Sequence, residues 1–586
     1  MKEELLLDVR RPAQYLGNEW NVSKKEARSC ALSFALGFPD LYEIGMSNLG
    51  LRIIYGVINN IPDAACERFF SPGPDMQDVL KGSSSLLASW ESGMELRAFD
   101  MMGFSLGSEL NYTNVLNILE LSGVPMLSSL RDNRYPLVVG GGPCTLNPEP
   151  LADFFDLFLV GEAEEAVVEL IDLYREHKHD FKNGGMGKNE LLSKISGIEG
   201  IYVPSLYSAK YDSSGNLVSF SSSDGSAARQ VKKRLVGDLD SVFYPRDWVV
   251  PYVQTVHDRV SLEIMRGCPN RCRFCQARAQ YYPLRLRSRE KVVDLARSSY
   301  ASSGYEEFSL AGLSVSDYPG LEDLISELTG MFKDQAVNLS LPSLKAKLLL
   351  GNVSTLIAGV KKTGLTFAPE AGTERMRRML AKDFSEEDFF KVAEEAYRAG
   401  YQHLKLYFLI GLPGETGEDL DGIISFAQSA SNLKKKVKGG GAQINISINP
   451  LIPKPHTPFQ WLGMESMESI RQKQKYLRDH CRNKRIKLSF HNLEMGFLEG
   501  ILSRGDRLLG RVILAAYKKG ARFDAWPEHF SLSRWQEAFA EEGIDPSKYL
   551  AEKQPGDILP WDFIDTGVKK EFLCSEFNQA LKAPEE

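Results

Sequence analysis

MRGCPNRCRFCQAR, residues 265–278, decides how this chain is read. It sets Cys268, Cys272 and Cys275 at spacings of four and three residues, directly after the apolar run SLEIM (261–265). The other five cysteines (Cys30, Cys66, Cys144, Cys481 and Cys574) are scattered singly, which is no disulfide framework. A tight trio in such a chain points to metal or redox chemistry. A structural zinc site closes its shell with four protein ligands. Here the closest further ligand is His257, eleven residues upstream of Cys268 on the other side of the apolar run. Three thiolates with one open position suit a [4Fe–4S] cluster, whose uncoordinated iron can take a small-molecule ligand. The alternative on the residues alone is a zinc knuckle completed by a distant side chain.

Outward from the trio, SLEIM is the first of six apolar runs between Ser261 and Trp461, followed by EFSLAGL, VNLSL, GLTFA, HLKLYFLI and AQINISI. Helical windows separate them. Leu321, Leu324, Ile325 and Leu328 form one stripe, and SEEDFFKVAEEAYRAG opens with a capping-box pattern and ends at Gly400. Six strand–helix units over 251–465 predict a barrel or partial barrel with its chemistry at the strand carboxyl ends. Upstream, ALSFAL, FDMMGFSL, YPLVVGG and DLFLV alternate with helices, so residues 1–180 read as an α/β domain with a parallel sheet. Ser47 is the expected cap of NLGLRIIYGVINN, and Glu162 the expected opening of AEEAVVELIDLYREH. Ligands of open α/β sheets sit outside the strand carboxyl ends, so Ser47, Ser105, Gly141, Gly142, Gly161 and Glu162 are placed along one crevice. Such small residues suit a flat or phosphate-bearing ligand, although glycine-rich loops also arise for steric reasons. Residues 181–250 read as a linker with a small β-rich excursion, and 466–586 as mostly helical.

Composition narrows the class. With 586 residues, several domains are expected. With 43% apolar and 25% charged residues, disorder, collagen and a secreted mini-scaffold are excluded. No apolar run approaches the roughly 20 residues that cross a bilayer. The stretch MKEELLLDVRRPAQ has acidic residues and no apolar core ending in a cleavage site, so a cytoplasmic protein is expected. A net charge of −7 gives no electrostatic case for a dedicated nucleic-acid coat.

CPNRCRFC resembles the CxxxCxxC signature of the radical S-adenosylmethionine (radical SAM) superfamily, including the aromatic Phe274 before the third cysteine. FSLAGLS, GLTFAPEAGTERMR, KLYFLIGLPGET and NPLIPKPHTPFQW follow in the order seen in radical SAM proteins that carry an N-terminal cobalamin-binding-like domain. LPWDFIDTGVKKEFL resembles the end of such proteins, although with only Cys574 in this tail no second cluster is expected. The resemblance implies an N-terminal Rossmann-like (cobalamin-binding-like) domain, a partial (β/α)6 TIM-like radical SAM barrel and a helical C-terminal region. It implies that Cys268, Cys272 and Cys275 ligate three irons while the fourth chelates SAM. Reduction then cleaves SAM to methionine and a 5′-deoxyadenosyl radical, with an electron donor such as flavodoxin or ferredoxin. Ala311, Gly312 and Ser314 would meet the SAM amino group, Glu370 the ribose hydroxyls, Arg375 the carboxylate, and the Gly411–Gly414 segment the adenine. The plain readings are turn glycines at Gly411 and Gly414 and a helix-surface cation at Arg375.

GMSNLG, GFSLGSE, VVGGGPCT and LVGEAEE resemble the crevice loops of cobalamin-binding domains. The Asp-x-His-x-x-Gly motif is missing and no histidine precedes His177, so the lower face of a bound cobalamin would be free or meet something other than His. With cobalamin, methylation of an unactivated carbon is implied. With a degenerate domain, another hydrogen-abstraction reaction is implied, and a non-catalytic Fe–S scaffold or assembly protein is the rival reading. A broad mouth and a large helical tail suggest a macromolecular substrate, RNA or a ribosomal protein. Lys405 and Lys454 either face the barrel mouth or snorkel, and His456 in PKPHTP is either an acid/base group or structural. The basic runs Lys434–Lys436 and Arg482–Lys487 are either RNA contacts or solvated faces.

Overall fold

Every residue of β1 (Leu32–Phe38) is buried, the pattern of a central strand covered on both sides. The computed structural model describes residues 3–222, 228–335, 337–340, 365–437 and 439–583. In it β1 lies between β2 (Ala64–Phe70) and β3 (Met101–Ser105), and the sheet continues through β4 (Leu137–Gly141), β5 (Leu157–Leu159) and β6 (Ile201–Tyr202). All pairs are parallel except β5 with β6. The four expected strands are present. β2 is an addition, hidden in the sequence because Glu67 and Arg68 interrupt its apolar run. Both are fully buried, which is tolerable only because each is paired. The Arg68 guanidinium is held by Glu19 at 2.7 Å and Glu91 at 2.6 Å, while Glu67 accepts from the hydroxyls of Ser89 and Ser92.

Two helix starts differ from expectation. Asn48, not Ser47, caps the helix Leu49–Asn59, its Oδ1 accepting the Leu51 N–H at 2.8 Å. Ser47 instead donates to the Glu43 carbonyl and accepts the His257 N–H, 3.0 Å away, across to the barrel. The helix Ala166–Lys182 starts four residues after Glu162, whose carboxylate is drawn to arginines of the barrel.

The connecting segment forms a hairpin of β7 (Tyr207–Tyr211) and β8 (Leu217–Ser222), then β9 (Val231–Lys232), which pairs with β19 (Ile564–Asp565) near the other end of the chain. Residues 223–227 of the expected β-rich excursion lie outside the described residues. The second unit holds two parallel sheets. One is β10 (Val260–Glu263), β13 (Glu307–Ala311) and β14 (Asn338–Ser340); the other is β15 (Leu365–Glu370), β16 (His403–Ile410), β17 (Gln443–Pro450) and β18 (Ile486–Phe490). Between β10 and β13, β11 (Met265–Arg266) pairs antiparallel with β12 (Arg285–Leu286). The six expected barrel strands are all present, and Leu341 and Gly364 at the ends of two of them lie outside the described residues.

Two expected boundaries shift. The first sheet runs on to Tyr202, beyond 180, and the barrel to Phe490, beyond 465. A two-residue edge strand carries no periodicity to read, and β18 alternates Lys487 and Ser489 with its apolar residues, which masks it as a basic helix face. Among the described residues no helix is long and apolar enough to cross a membrane.

The loop after β17 fastens the two units together. Lys454 is half-buried and donates to Glu109 at 2.9 Å and Glu499 at 2.8 Å; burial works against its charge, and the two carboxylates more than restore it. His456, which is buried, has Nε2 at 3.0 Å from the Leu146 carbonyl, so the neutral ring carries its proton there. Both residues serve the join to the first unit rather than the barrel mouth.

Burial pulls His456 down from 6.5 to about 4. Above pH 7 the ring is neutral in both folded and unfolded chains and costs nothing. As pH falls through 6.5 the unfolded chain takes up a proton that the fold refuses, and about 3 kcal/mol of stability is lost by pH 4. Urea midpoints of the wild type and His456→Gln should therefore converge or cross between pH 7 and pH 4.5, the variant being the flatter; parallel profiles would contradict this.

Candidate active site

Cys268, Cys272 and Cys275 lie in the loop between β11 and the helix Gln276–Tyr281, and all three line one cavity of about 370 Å³. The loop is pinned from outside. Arg273, with its guanidinium buried, reaches Glu576 at 2.9 Å and the Met379 carbonyl at 3.0 Å, and its own N–H reaches the Leu380 carbonyl. Asn270 donates to Cys268 Sγ at 3.1 Å. The Cys272 thiol is pushed up to about 11 by burial, against the pull of Lys382, and burial raises Cys275 as well. Loading a metal there must expel protons. Among the described residues no three Cys, His, Asp or Glu side chains converge closely enough for a single ion. Three thiols spread around a cavity without a fourth protein ligand fit a cubane cluster and do not fit a closed zinc site.

The neighbours of the trio divide the expected SAM contacts. Phe274, Ser314 and Glu370 are on the cavity wall. Ser314 donates to Asp317 at 2.6 Å. Ala311 and Gly312 stand just before that wall. The Ala311 carbonyl accepts the Ile264 N–H, and a Cβ on Gly312 would come within 2.5 Å of the Met265 side chain, so Gly312 lets β13 pass the cluster loop closely. Glu370 has a positive φ of 68° at the end of β15; burial raises its carboxyl, and Lys382, 3.3 Å away, offsets part of that.

Arg375 is a correction. Its guanidinium is bound to Asp419, the Gly414 carbonyl at 3.1 Å and the Thr416 hydroxyl at 3.2 Å, because the buried Asp419 needs a counter-ion. It secures the turn after β16 and is absent from the cavity wall. Gly411 and Gly414, with φ of 80° and 69°, belong to that same turn, where Glu415 accepts the Gly411 N–H. The cation that faces the cysteines is Lys382. A lone lysine shortly before a helix cap carries no sequence signal, so it was not anticipated.

The second cavity, about 360 Å³, opens at the carboxyl ends of the first sheet. Ser105, Gly141, Gly142, Gly161 and Glu162 all line it, and Ser47 does not. A Cβ on Gly141 would meet nothing within 4 Å, so this glycine fronts open crevice, whereas a Cβ on Gly142, at φ 99°, would come within 2.9 Å of the Leu106 carbonyl oxygen, so glycine is needed for the turn. The facing wall comes from the barrel: Glu263, Arg266, Gln280 and Tyr281. Gln280 and Tyr281 end the helix that starts directly after Cys275, and Gln280 Oε1 is buried with no hydrogen-bond partner among the described residues. Lys233 caps this helix by donating to the carbonyls of Ala279, Gln280 and Tyr282. A flat, glycine-floored crevice with an unsatisfied acceptor fits a planar ligand with amide edges.

Arg266 lines the crevice two residues before the first cysteine of the trio. It reaches Glu263 at 2.9 Å and Glu162 at 3.2 Å and also bonds Glu164, while Arg285 grips Glu162 through two bonds of 2.6 and 2.7 Å. Burial alone would weaken the charge of Arg266, and the surrounding carboxylates outweigh it. Glu162 is likewise raised by burial and carried below the ordinary carboxylate range by Arg285 and Arg266. Glu162 is thus committed to the domain junction and has little left for a ligand.

Two family models match in sequence order: "Radical SAM proteins, N-terminal" over residues 50–204 and "Radical SAM superfamily" over residues 262–427. The uncharacterized protein MJ0966 of Methanocaldococcus jannaschii is 28% identical over 512 residues, 87% of this chain and 97% of that protein. Among solved structures, the radical SAM methyltransferase TsrM of Kitasatospora setae, with tryptophan substrate and a SAM analog bound, superposes at a TM-score of 0.44 with 14% identity, over 74% of this chain and 73% of its own. The cobalamin-dependent SAM radical enzyme OxsB, with aqua-cobalamin and SAM bound, gives a TM-score of 0.47 at 12% identity, over 94% of this chain and 78% of its own.

Arg266→Met leaves Glu162, Glu164 and Glu263 buried around an apolar side chain. It should cost about 3–5 kcal/mol, read as a lower denaturant midpoint. A loss below about 1 kcal/mol, the range of an exposed pair, would show the junction to be held by packing alone.

Proposed function

We propose that this chain, which belongs to the radical SAM superfamily, cleaves SAM reductively at the Cys268–Cys272–Cys275 site, binds cobalamin in the crevice of its first sheet, and methylates an unactivated carbon. One observation carries the reading: the helix Gln276–Tyr281 begins at the third cysteine and ends as a wall of the crevice. Bound there, a [4Fe–4S] cluster would supply the electron for SAM cleavage and a corrinoid would carry the methyl group.

The protein's part is to bind, orient and exclude water. Among the described residues Lys382 presents the only ammonium on the cavity wall, so it holds the SAM carboxylate by charge, with Glu370 as acceptor for the ribose hydroxyls and Ser314 beside the amino group. Phe274 and Tyr407 supply apolar wall that keeps bulk water away from the reacting centre. In the crevice, Gly141 would leave room for the ring and Gln280 Oε1 would be available to accept a hydrogen bond from it. Arg266 and its carboxylates keep the two cavities in one fixed relation. A flavodoxin or ferredoxin delivers the electron.

Two measurements test this. Anaerobically reconstituted protein with dithionite and SAM should release 5′-deoxyadenosine, Cys272→Ala should release none, and Lys382→Met should raise KM for SAM about tenfold with a smaller change in kcat. No release from the wild type sinks the enzymatic reading. Separately, protein from cobalamin-fed cells should carry corrinoid, and Gly141→Leu should lose the corrinoid while keeping iron and sulfide. Equal corrinoid in the two proteins, or none in the wild type, removes cobalamin from the proposal.

A further inference from the structure

The sheet β15–β18 has one clear alternation. Leu404, Leu406 and Phe408 of β16 and Ile444, Ile446 and Ile448 of β17 are buried on the face that packs against the helix Gly417–Val437. The intervening residues face the other way, into the barrel, and Thr366, Ala368 and Glu370 of β15 and Tyr407 of β16 line the cluster cavity. The register places Thr366 beside Lys405, Lys405 beside Asn445, and Asn445 beside Lys487. A single row therefore runs from the cavity wall across three strands. The backbones bearing its two lysines are about 10 Å apart at ordinary strand spacing. One pleat repeat closer to the carboxyl ends, about 7 Å along the strands, the row Tyr407, Ser447 and Ser489 adds hydroxyls.

Barrel interiors at this level are ordinarily filled with layers of branched apolar side chains. Here Lys405, Asn445 and Lys487 are all exposed. Among the described residues neither lysine has an ion pair, and the Lys405 ammonium rests over the Tyr407 ring at 4.8 Å. The carboxylates on the interior walls are engaged elsewhere: Glu370 with Lys382, Glu307 with Arg259 at 3.0 Å, and Asp383 of the cavity wall in an interaction of its own. Asp388, at the far rim of the cavity, sits in the first turn of the helix Glu386–Arg398, where a negative charge suits the helix dipole. The stretch 341–364, which precedes β15, holds four lysines and no acidic residue, so it brings no carboxylate to neutralise the row. Two uncompensated lysines flanking an asparagine, with no arginine fork, are point-charge donors, the arrangement for phosphate rather than for bidentate capture of a carboxylate.

We infer that the barrel interior holds its substrate through phosphate, gripped by Lys405 and Lys487 with Asn445 between them, so that the remainder of the substrate extends toward Tyr407 and the cluster cavity. The assignment of this ligand as substrate rests on the proposed SAM cleavage; the phosphate site itself does not.

Inorganic pyrophosphate is the probe, followed by equilibrium dialysis at low ionic strength with cluster-loaded full-length protein. The wild type should bind it, and the double variant Lys405→Met/Lys487→Met should bind about tenfold more weakly or worse. Lys405→Arg/Lys487→Arg should retain most of the affinity, and Lys434→Met, on the outer helix, should behave as wild type. Thermal melts check that the double variants are folded. No binding by the wild type, or equal binding by the Met variant, overturns the inference. A short 5′-phosphorylated oligoribonucleotide that displaces pyrophosphate would identify RNA as the source of the phosphate, and failure to displace it would identify a small phosphorylated compound. If the wild type binds pyrophosphate through the two lysines yet releases no 5′-deoxyadenosine, the SAM reading fails and the phosphate site stands.

Discussion

A buried guanidinium ringed by carboxylates is the constraint on which the rest of this molecule depends. Arg266 sits two residues before Cys268 and is anchored by Glu162 and Glu164 of the loop after β5 and by Glu263 of β10. Desolvating such a group is costly, and only close, multiple pairing offsets it. The charges therefore have one arrangement in which they are all satisfied, and that arrangement fixes the cluster loop against the crevice. Arg285 reinforces it from β12, and Lys233 holds the far end of the intervening helix through three carbonyls. Apolar packing alone would permit sliding; directional ion pairs do not.

The same loop is fixed from its other side by the end of the chain. Trp461, Trp561, Leu573 and Phe577 form a core separate from the main one, with Phe274 packed against it, and Trp561 donates to Gln460 at 2.7 Å. Arg273 meets Glu576 of the helix Lys570–Lys582. The C-terminal region is thus a support for the cysteine loop, and β19, paired with β9, returns the chain end to the segment that links the two units. A site assembled from distant stretches of chain gains rigidity from each of them, which is what holding the cysteine loop in one place requires.

Much of this was legible beforehand, for particular reasons. The apolar runs of the barrel and of β1, β3, β4 and β5 show because strands buried on one or both faces need branched and aromatic residues over several positions. β2 did not, because Glu67 and Arg68 are paired by Glu19, Glu91, Ser89 and Ser92, partners 22 to 49 positions away in sequence. β18 did not, because its interior face carries Lys487 and Ser489. Among site residues, Ser314, Glu370 and the glycines of the crevice lie on the cavity walls because each follows a strand end, and Phe274 does so because it lies within the cysteine loop. Arg375, Ser47 and His456 have other duties, each decided by its partner: Asp419, the Glu43 carbonyl and the Leu146 carbonyl.

By itself, then, the sequence determined the cysteine trio, the strand–helix alternation that puts it at a barrel mouth, and the glycine-rich loops of the first sheet, because these are local patterns governed by backbone geometry and short-range spacing. Only the tertiary structure decided which cation faces the cysteines, that the crevice is walled by the cluster helix, and that Lys405 and Lys487 share one row inside the barrel. Those outcomes depend on desolvation and pairing between groups tens to hundreds of residues apart, and no local pattern encodes which buried charge will find which partner.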